Sequence, residues 1–218
     1  MQGEQAQQQA GRMGGELNSV FGRNQSSSPP TDHVQEMGWL RDSRRGDTLA
    51  FNRLVLKWER TVYNVAYRML QDRDDAAEAS QEIFFAAYRN IRRFRMDSKF
   101  STWLYRIAVN HCISRARKRP PGTHVALTEM ERDAVAPPEA LRAASTQDGE
   151  LLRQEDQNRV RQALLCLSPD QRVVIELKFY QELTFEEIAD ILRIPTSTIK
   201  SRLYTGLELL KSRLGGKA

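Results

Sequence analysis

The chain has 218 residues, long enough for one large or two small domains, and 33 Lys and Arg against 28 Asp and Glu give a formal net charge of +5. Hydrophobic residues make up 40% and are grouped in separate tracts, which predicts two small cores rather than one large one. No apolar run approaches the length of a membrane span and the N-terminus has no apolar signal core, so direct membrane insertion is not expected and a cytoplasmic location is.

Residues 1–35 are rich in Gln, Gly and Ser and end in SSSPPTD. They hold too little apolar surface to offset ordering entropy and are predicted to be a disordered extension. From there the pattern is helical. Asp47 is placed to cap a helix running to about Leu70, with Phe51, Val55, Trp58, Val62, Ala66 and Met69 on its inner side. Asp72 or Asp74 starts the next helix, whose inner side is Ala76, Ala79, Ile83, Ala87 and Ile91. Its other face carries Asp75, Glu78, Gln81, Glu82 and Phe85, an acidic face suited to a basic protein partner because carboxylates repel phosphate. The loop RRFRMDSK follows, then a third helix from about Ser101 to Arg117.

Residues 120–148 are punctuated by Pro120, Pro121, Gly122, Pro137 and Pro138 and read as a flexible linker. About 28 residues at up to ~3.3 Å each reach about 90 Å when extended, but average only about 30 Å as a free coil. Helical pattern resumes near residue 149 and pauses near Cys166. Ser168-Pro169 opens a helix to about Tyr180, with Ser as the cap and Pro in the first turn. In the segment LTFEEIADILRIPTSTIKSRL, Thr184 and Glu187 form a capping box, Pro195 breaks the chain, and Thr196 and Ser197 are placed to cap a final helix. Its inner stripe is Ile199, Leu203, Leu207 and Leu210. Thr196, Ser197, Thr198, Lys200, Ser201, Arg202 and Tyr204 lie at its leading edge, the pattern of a helix-turn-helix whose second helix enters a major groove. The predicted fold is all-α, with two small helical domains at 36–119 and 149–214 and a short tail, 215–218.

Aromatic and cationic residues interleave between the second and third helices. Phe94, Arg95, Lys99, Phe100, Ser101, Thr102 and Trp103 precede Arg106, Asn110 and Arg115, and residues 106–119 contain no acid. Rings offer stacking surfaces to bases and cations hold phosphates, a combination suited to single-stranded nucleic acid. Cys112 and Cys166 form no CxxC pair and read as small buried residues. His33, His111 and His124 have no partners at metal-ligand spacing, and no nucleophile stands beside a base. No catalysis, metal or cofactor is expected.

Taken together, these tracts resemble the sigma-70 family of bacterial RNA polymerase sigma factors, and in particular its compact extracytoplasmic-function (ECF) group. DDAAEASQEIFFAAYRN looks like the segment that docks on the clamp helices of the largest polymerase subunit. FRMDSKFSTWLYRIAVN looks like the promoter-melting segment, and LSPDQRVVIELKFYQELTFEEIADILRIPTSTIKSRL like region 4. The resemblance implies a subunit of core RNA polymerase that also meets the flap of the second-largest subunit. It implies that Arg172, Thr196, Ser197, Thr198, Lys200, Ser201, Arg202 and Tyr204 read the −35 duplex. The melted −10 element would meet Phe94 to Trp103, with Arg106, Asn110 and Arg115. It further implies an anti-sigma factor, able to hold the protein at the inner membrane. Two departures from the family pattern stand out. Ala77, Ala79 and Ser80 replace a carboxylate and two larger apolar residues in the docking segment, and Thr205-Gly206-Leu207 replaces the usual Arg-Ala-Arg. Gly206 is expected to weaken its helix by roughly 1 kcal/mol relative to Ala. The competing reading is a helix-turn-helix regulator that binds DNA as a dimer without polymerase.

Overall fold

The computed structural model describes residues 30–118, 160 and 162–214, and among these there is no strand. The first helix, α1 (Pro30–Arg44), starts inside the segment expected to be disordered. Leu40 is buried, and Glu36 accepts a hydrogen bond from Trp58 Nε1 at 2.6 Å, so α1 has tertiary anchors that its composition did not announce. The chain turns at Gly46, whose φ of 102° suits a residue without a Cβ. Asp47 caps α2 (Thr48–Leu70), accepting from Leu49 N at 2.8 Å and Ala50 N at 3.1 Å. Its buried side includes Phe51, Leu54, Val62, Val65, Ala66 and Met69. Val55 and Trp58, expected inside, are half-buried because the stripe turns through Leu54 and Val65 instead.

Asp72 caps α3 (Arg73–Asn90) and Ala76, Ala79, Ile83 and Ala87 pack inward. Three of these four are alanines, which lets α3 lie close against α2. A single 3-10 turn (Ile91–Arg93) leads to the loop before α4 (Phe100–Lys118), which buries Phe100, Leu104, Tyr105, Ala108, Val109 and Cys112. Burial pushes the Cys112 thiol up to about 12. Cys166 is exposed, contrary to expectation, because it lies in the turn after residues 162–165 rather than on a helix inner face.

The second unit is set by caps. Ser168 and Gln171 form a capping box at α5 (Pro169–Ile175), which runs into a π turn at Glu176–Tyr180. Thr184 and Glu187 form another at α6 (Phe185–Leu192). After Arg193, held at φ 55°, comes α7 (Thr196–Leu214). Thr196 is the first residue of α7 rather than its cap, and the amides of Thr198 and Ile199 donate to the Pro195 carbonyl. Gly206 is buried where α7 crosses α5, and a Cβ there would lie 3.1 Å from Ile175 Cδ1 and 3.5 Å from Gln171 Cβ. The expected helix-weakening residue is therefore also a packing residue.

Two separate cores are not what forms. The buried side chains of α1 to α4 and of α5 to α7 belong to one contiguous hydrophobic cluster. The reason is that α4 packs on α5 and α6, while the end of α2 packs on α5 and the π turn. The stretch 120–148, read as a linker, lies outside the described residues, as do residues 1–29 and the tail.

Candidate nucleic-acid interface

In the helix-turn-helix the inner stripe Ile199, Leu203, Leu207 and Leu210 is buried as its spacing predicts. Ser197, Lys200 and Ser201 are exposed, and Thr196, Thr198, Arg202 and Tyr204 are half-buried. The Lys200 ammonium lies 5.4 Å from the centroid of the Phe185 ring, and Lys178 approaches the same ring at 4.8 Å. A cation leaning on a ring is partly preorganised and still presents its charge outward. Arg202 reaches Asp170 of α5 at 3.3 Å.

Arg172, grouped with these on sequence, does something else. It is 7% exposed and spends its donors on backbone carbonyls: Leu164 at 3.0 Å, Leu167 at 3.1 Å and, across to the first unit, Met69 at 2.5 Å. Helices end with unsatisfied carbonyls, and one guanidinium here serves the ends of two. Burial pulls Arg172 down to about 10. It is a structural clamp with no free face for phosphate.

The loop and α4 differ in the same way. Phe94 is 2% exposed and Phe100 is 6% exposed. Their ring centroids are 5.8 Å apart, and Trp103 lies 5.3 Å from Phe94 and 5.6 Å from Phe100. Edge and tilted ring packing makes this a small aromatic core, so in this arrangement neither phenylalanine offers a face to a base. Arg95 and Asn110 remain exposed, with Arg95 3.4 Å from Asp97, and Ser101, Thr102 and Trp103 are half-buried. Lys99 is paired with Glu187 at 3.0 Å and Arg106 donates to the Asp190 carbonyl at 2.5 Å, both on α6. The hydrogen bond to the Thr184 backbone amide, then the one from Lys99, holds the Glu187 carboxyl below its usual range.

Arg115 is drawn away from the nucleic-acid set altogether. It contacts Glu78, Asp75 at 2.9 Å and Glu82 at 3.7 Å, joining the acidic face of α3. Hydrogen bonds to Glu78 and Asp75 raise its pKa. His111 Nε2 lies 2.8 Å from Glu82. Gln81, Glu82, Phe85 and His111 line one shallow depression, and Phe85 stands out of it 63% exposed. An exposed ring beside carboxylates is chemically better matched to a protein surface than to phosphate.

Sequence reasoning missed Arg68 and Glu176. Both are buried and bonded to each other, although they are 108 positions apart. The available signal was a charge on an apolar face: Arg68 beside Met69 on the inner side of α2, and Glu176 within the run VVIELKFY.

The fold is all-helical among the described residues, with a helix-turn-helix in one unit and an acidic face and an aromatic-basic loop in the other. The family pattern Sigma-70 region 2 matches residues 54–120, and Sigma-70, region 4 matches residues 157–210. The ECF RNA polymerase sigma factor SigW of Bacillus subtilis is 37% identical over 186 residues, covering 80% of this chain and 94% of its own. RNA polymerase sigma-H factor of Pseudomonas aeruginosa is 34% identical over 175 residues, covering 78% and 89%. The ECF RNA polymerase sigma-E factor of Escherichia coli is also 34% identical over 175 residues, covering 78% and 90%. Among solved structures, CnrH in complex with the cytosolic domain of CnrY matches with TM-score 0.59 at 18% identity, over 84% of this chain and 99% of that one. The sigma factor RpoE in complex with the anti-sigma factor NepR from Bartonella quintana matches with TM-score 0.56 at 24% identity, over 77% and 98%. These two likenesses concern the fold. The chain belongs to the sigma-70 family, in its ECF group. It is a polymerase-binding factor for promoter-specific initiation, and the polymerase-independent dimeric regulator is not favoured.

Proposed function

We propose that the two units divide promoter recognition by the physical state of the DNA. Lys200, Ser197 and Ser201, with Thr196, Thr198, Arg202 and Tyr204 beside them, meet the −35 element as duplex, where short hydroxyls and cations contact phosphates and base edges. Arg95, Lys99, Ser101, Thr102, Arg106 and Asn110 meet the opened −10 strand, with Trp103 buttressing the loop. Phe94 and Phe100 shape that loop from beneath. Capture of an unstacked base offsets the few kcal/mol lost on unstacking. Asp75, Glu78, Gln81, Glu82 and Phe85 dock on the clamp helices of the largest polymerase subunit, and the second unit meets the flap of the second-largest. An anti-sigma factor covers these faces, and the chain acts in the cytoplasm.

The observation that carries this reading is the separation of surfaces. Lys200 and its neighbours sit on a helix-turn-helix, whereas Phe85 and the acidic face sit on α3 in the other unit. Reconstitution with core polymerase tests it. Purified chain plus core is expected to start transcripts at particular promoters. Only core-level, non-specific transcripts would remove the proposal.

A further inference from the structure

One corner of the first unit, outside the surfaces described above, is strongly basic. It is built from the last turn of α1, the bend at Gly46 and the 3-10 turn Ile91–Arg93, which packs on α1. Arg41, Arg44, Arg45, Arg92 and Arg93 are all exposed there. Gly46 lets them gather. Its φ of 102° turns the chain, and its missing side chain leaves room for Arg92, whose Nη2 would lie 3.3 Å from a Cβ at that position. The Arg92 guanidinium therefore rests on the bend that directly follows Arg44 and Arg45.

Like charges gathered in this way repel one another. The C-terminal dipole of α1 offsets part of the repulsion, since Arg41 and Arg44 lie in its last turn. That accounts for charge but not for hydrogen-bond donors. The Asp42 carbonyl already serves the amides of Arg45 at 3.0 Å and Asp47 at 3.1 Å, and the Ser43 carbonyl serves Gly46 at 3.0 Å. Of the two carboxylates in the bend, Asp47 is occupied as the cap of α2 and Asp42 points to solvent. Among the described residues, no carboxylate lies within ion-pair distance of any of the five guanidiniums. By contrast Arg68 is spent on Glu176, Arg115 on Asp75 and Glu78, and Arg117 and Arg202 on Asp170. A guanidinium carries five N–H donors in a planar fork that matches phosphate. Several open forks on one corner suit a chain of phosphates. Position says which chain: Arg93 directly precedes Phe94, so the corner continues the loop 94–103. Neither 41–47 nor 91–93 contains an aromatic residue. Bases find no ring to stack on there, and the corner is suited to backbone rather than to sequence.

We propose that Arg44, Arg45, Arg92 and Arg93, with Arg41 at the edge, form a phosphate-binding corner that holds the backbone of the opened DNA strand where it leaves the loop 94–103. It adds affinity for opened promoter DNA and no base preference. The proposal rests on the reading of that loop as the seat of the opened strand.

The test uses holoenzyme assembled from the full chain and core polymerase. The probe is a fluorescein-labelled fork DNA, a duplex that ends in a single strand carrying a −10 element and its flanking nucleotides. Its sequence is taken from a promoter at which the parent holoenzyme starts transcripts. Anisotropy gives affinity across a series of KCl concentrations, and interferometry gives association with core. Arg44→Gln with Arg92→Gln is expected to reduce the slope of log affinity against log salt by roughly 1.4, the value for two phosphates on a single strand. Promoter choice and core association are expected to match the parent. Arg44→Lys with Arg92→Lys keeps both charges and is expected to keep the parent slope. An unchanged slope in the glutamine pair overturns the proposal. So does weakened core association with an unchanged slope, which would put the corner against polymerase protein. A reduced slope in the lysine pair also overturns it, because charge is then not what acts. A parent that yields only core-level transcripts removes the sigma-factor reading and the corner with it, whereas specific transcripts with an unchanged slope remove the corner alone.

Discussion

In α7, the buried stripe Ile199, Leu203, Leu207 and Leu210 lies opposite the exposed Ser197, Lys200 and Ser201. In residues 94–103 the aromatics that suggest nucleic-acid contact, Phe94 and Phe100, are themselves the core of the loop. A helix separates folding from contact by angle, so its 3.6-residue period exposes the division. An irregular loop has no period, and ring-rich composition is compatible with either use. An exposed face on a helix is thus readable from spacing, and one on a loop needs the packing to be seen first.

Substitutions can break or sharpen this contrast. The largest effect is expected from Phe100→Ala, which removes a buried ring and should destabilise the chain by about 3–5 kcal/mol in chemical denaturation. Ser197→Ala, on the outer face of α7, should change stability by less than about 0.5 kcal/mol. Equal small effects from both would end the comparison. Next, Lys200→Ala should weaken binding to the −35 duplex and lower the salt dependence by about one phosphate contact while leaving the melting temperature unchanged. Unaltered promoter selection and affinity would mean that the reading helix is misassigned.

A smaller effect is expected from Asp75→Lys with Glu82→Lys. This pair reverses two of the three charges on the acidic face and leaves Arg115 with Glu78 alone, so association with core polymerase should weaken in a pull-down or by interferometry while Lys200-dependent duplex binding persists. The smallest effect concerns pH. Glu187 has a folded-state pKa below its ordinary value, so its contribution is present above the ordinary glutamate range and is lost as pH falls through the lowered folded value. Acid titration of the parent should loosen the α4–α6 contact over that interval, and Glu187→Gln should abolish the part of the change that comes from Lys99.

Several features were legible because they are local. Asp47, Asp72, Ser168 and Thr184 all cap the helices that their neighbours predicted, since a cap and the amides it serves lie within three residues. The apolar faces of α3 and α7 follow their periods. Arg172 and Arg115 were not legible in function because residue type alone groups every cation with phosphate. The carbonyls of Leu164 and Met69, and the carboxylates of Asp75 and Glu78, come from other elements. The single contiguous core was illegible for the same reason: the pair that crosses it is separated by more than a hundred positions. The start of α1 at Pro30 was hidden by its polar composition, because its anchor Glu36 meets Trp58 and Lys57 on α2.

Gly206 carries the last consequence. With only 3.1 Å between its missing Cβ and Ile175 Cδ1, the distance from α5 to α7 is written as a sum of two side-chain volumes. A methyl added at one position has to be subtracted at the other, so Gly206→Ala and Ile175→Val should be non-additive, with the double variant more stable than the two single changes predict. The tilt of α7 is then adjustable from beneath, by trading carbon atoms between two buried residues.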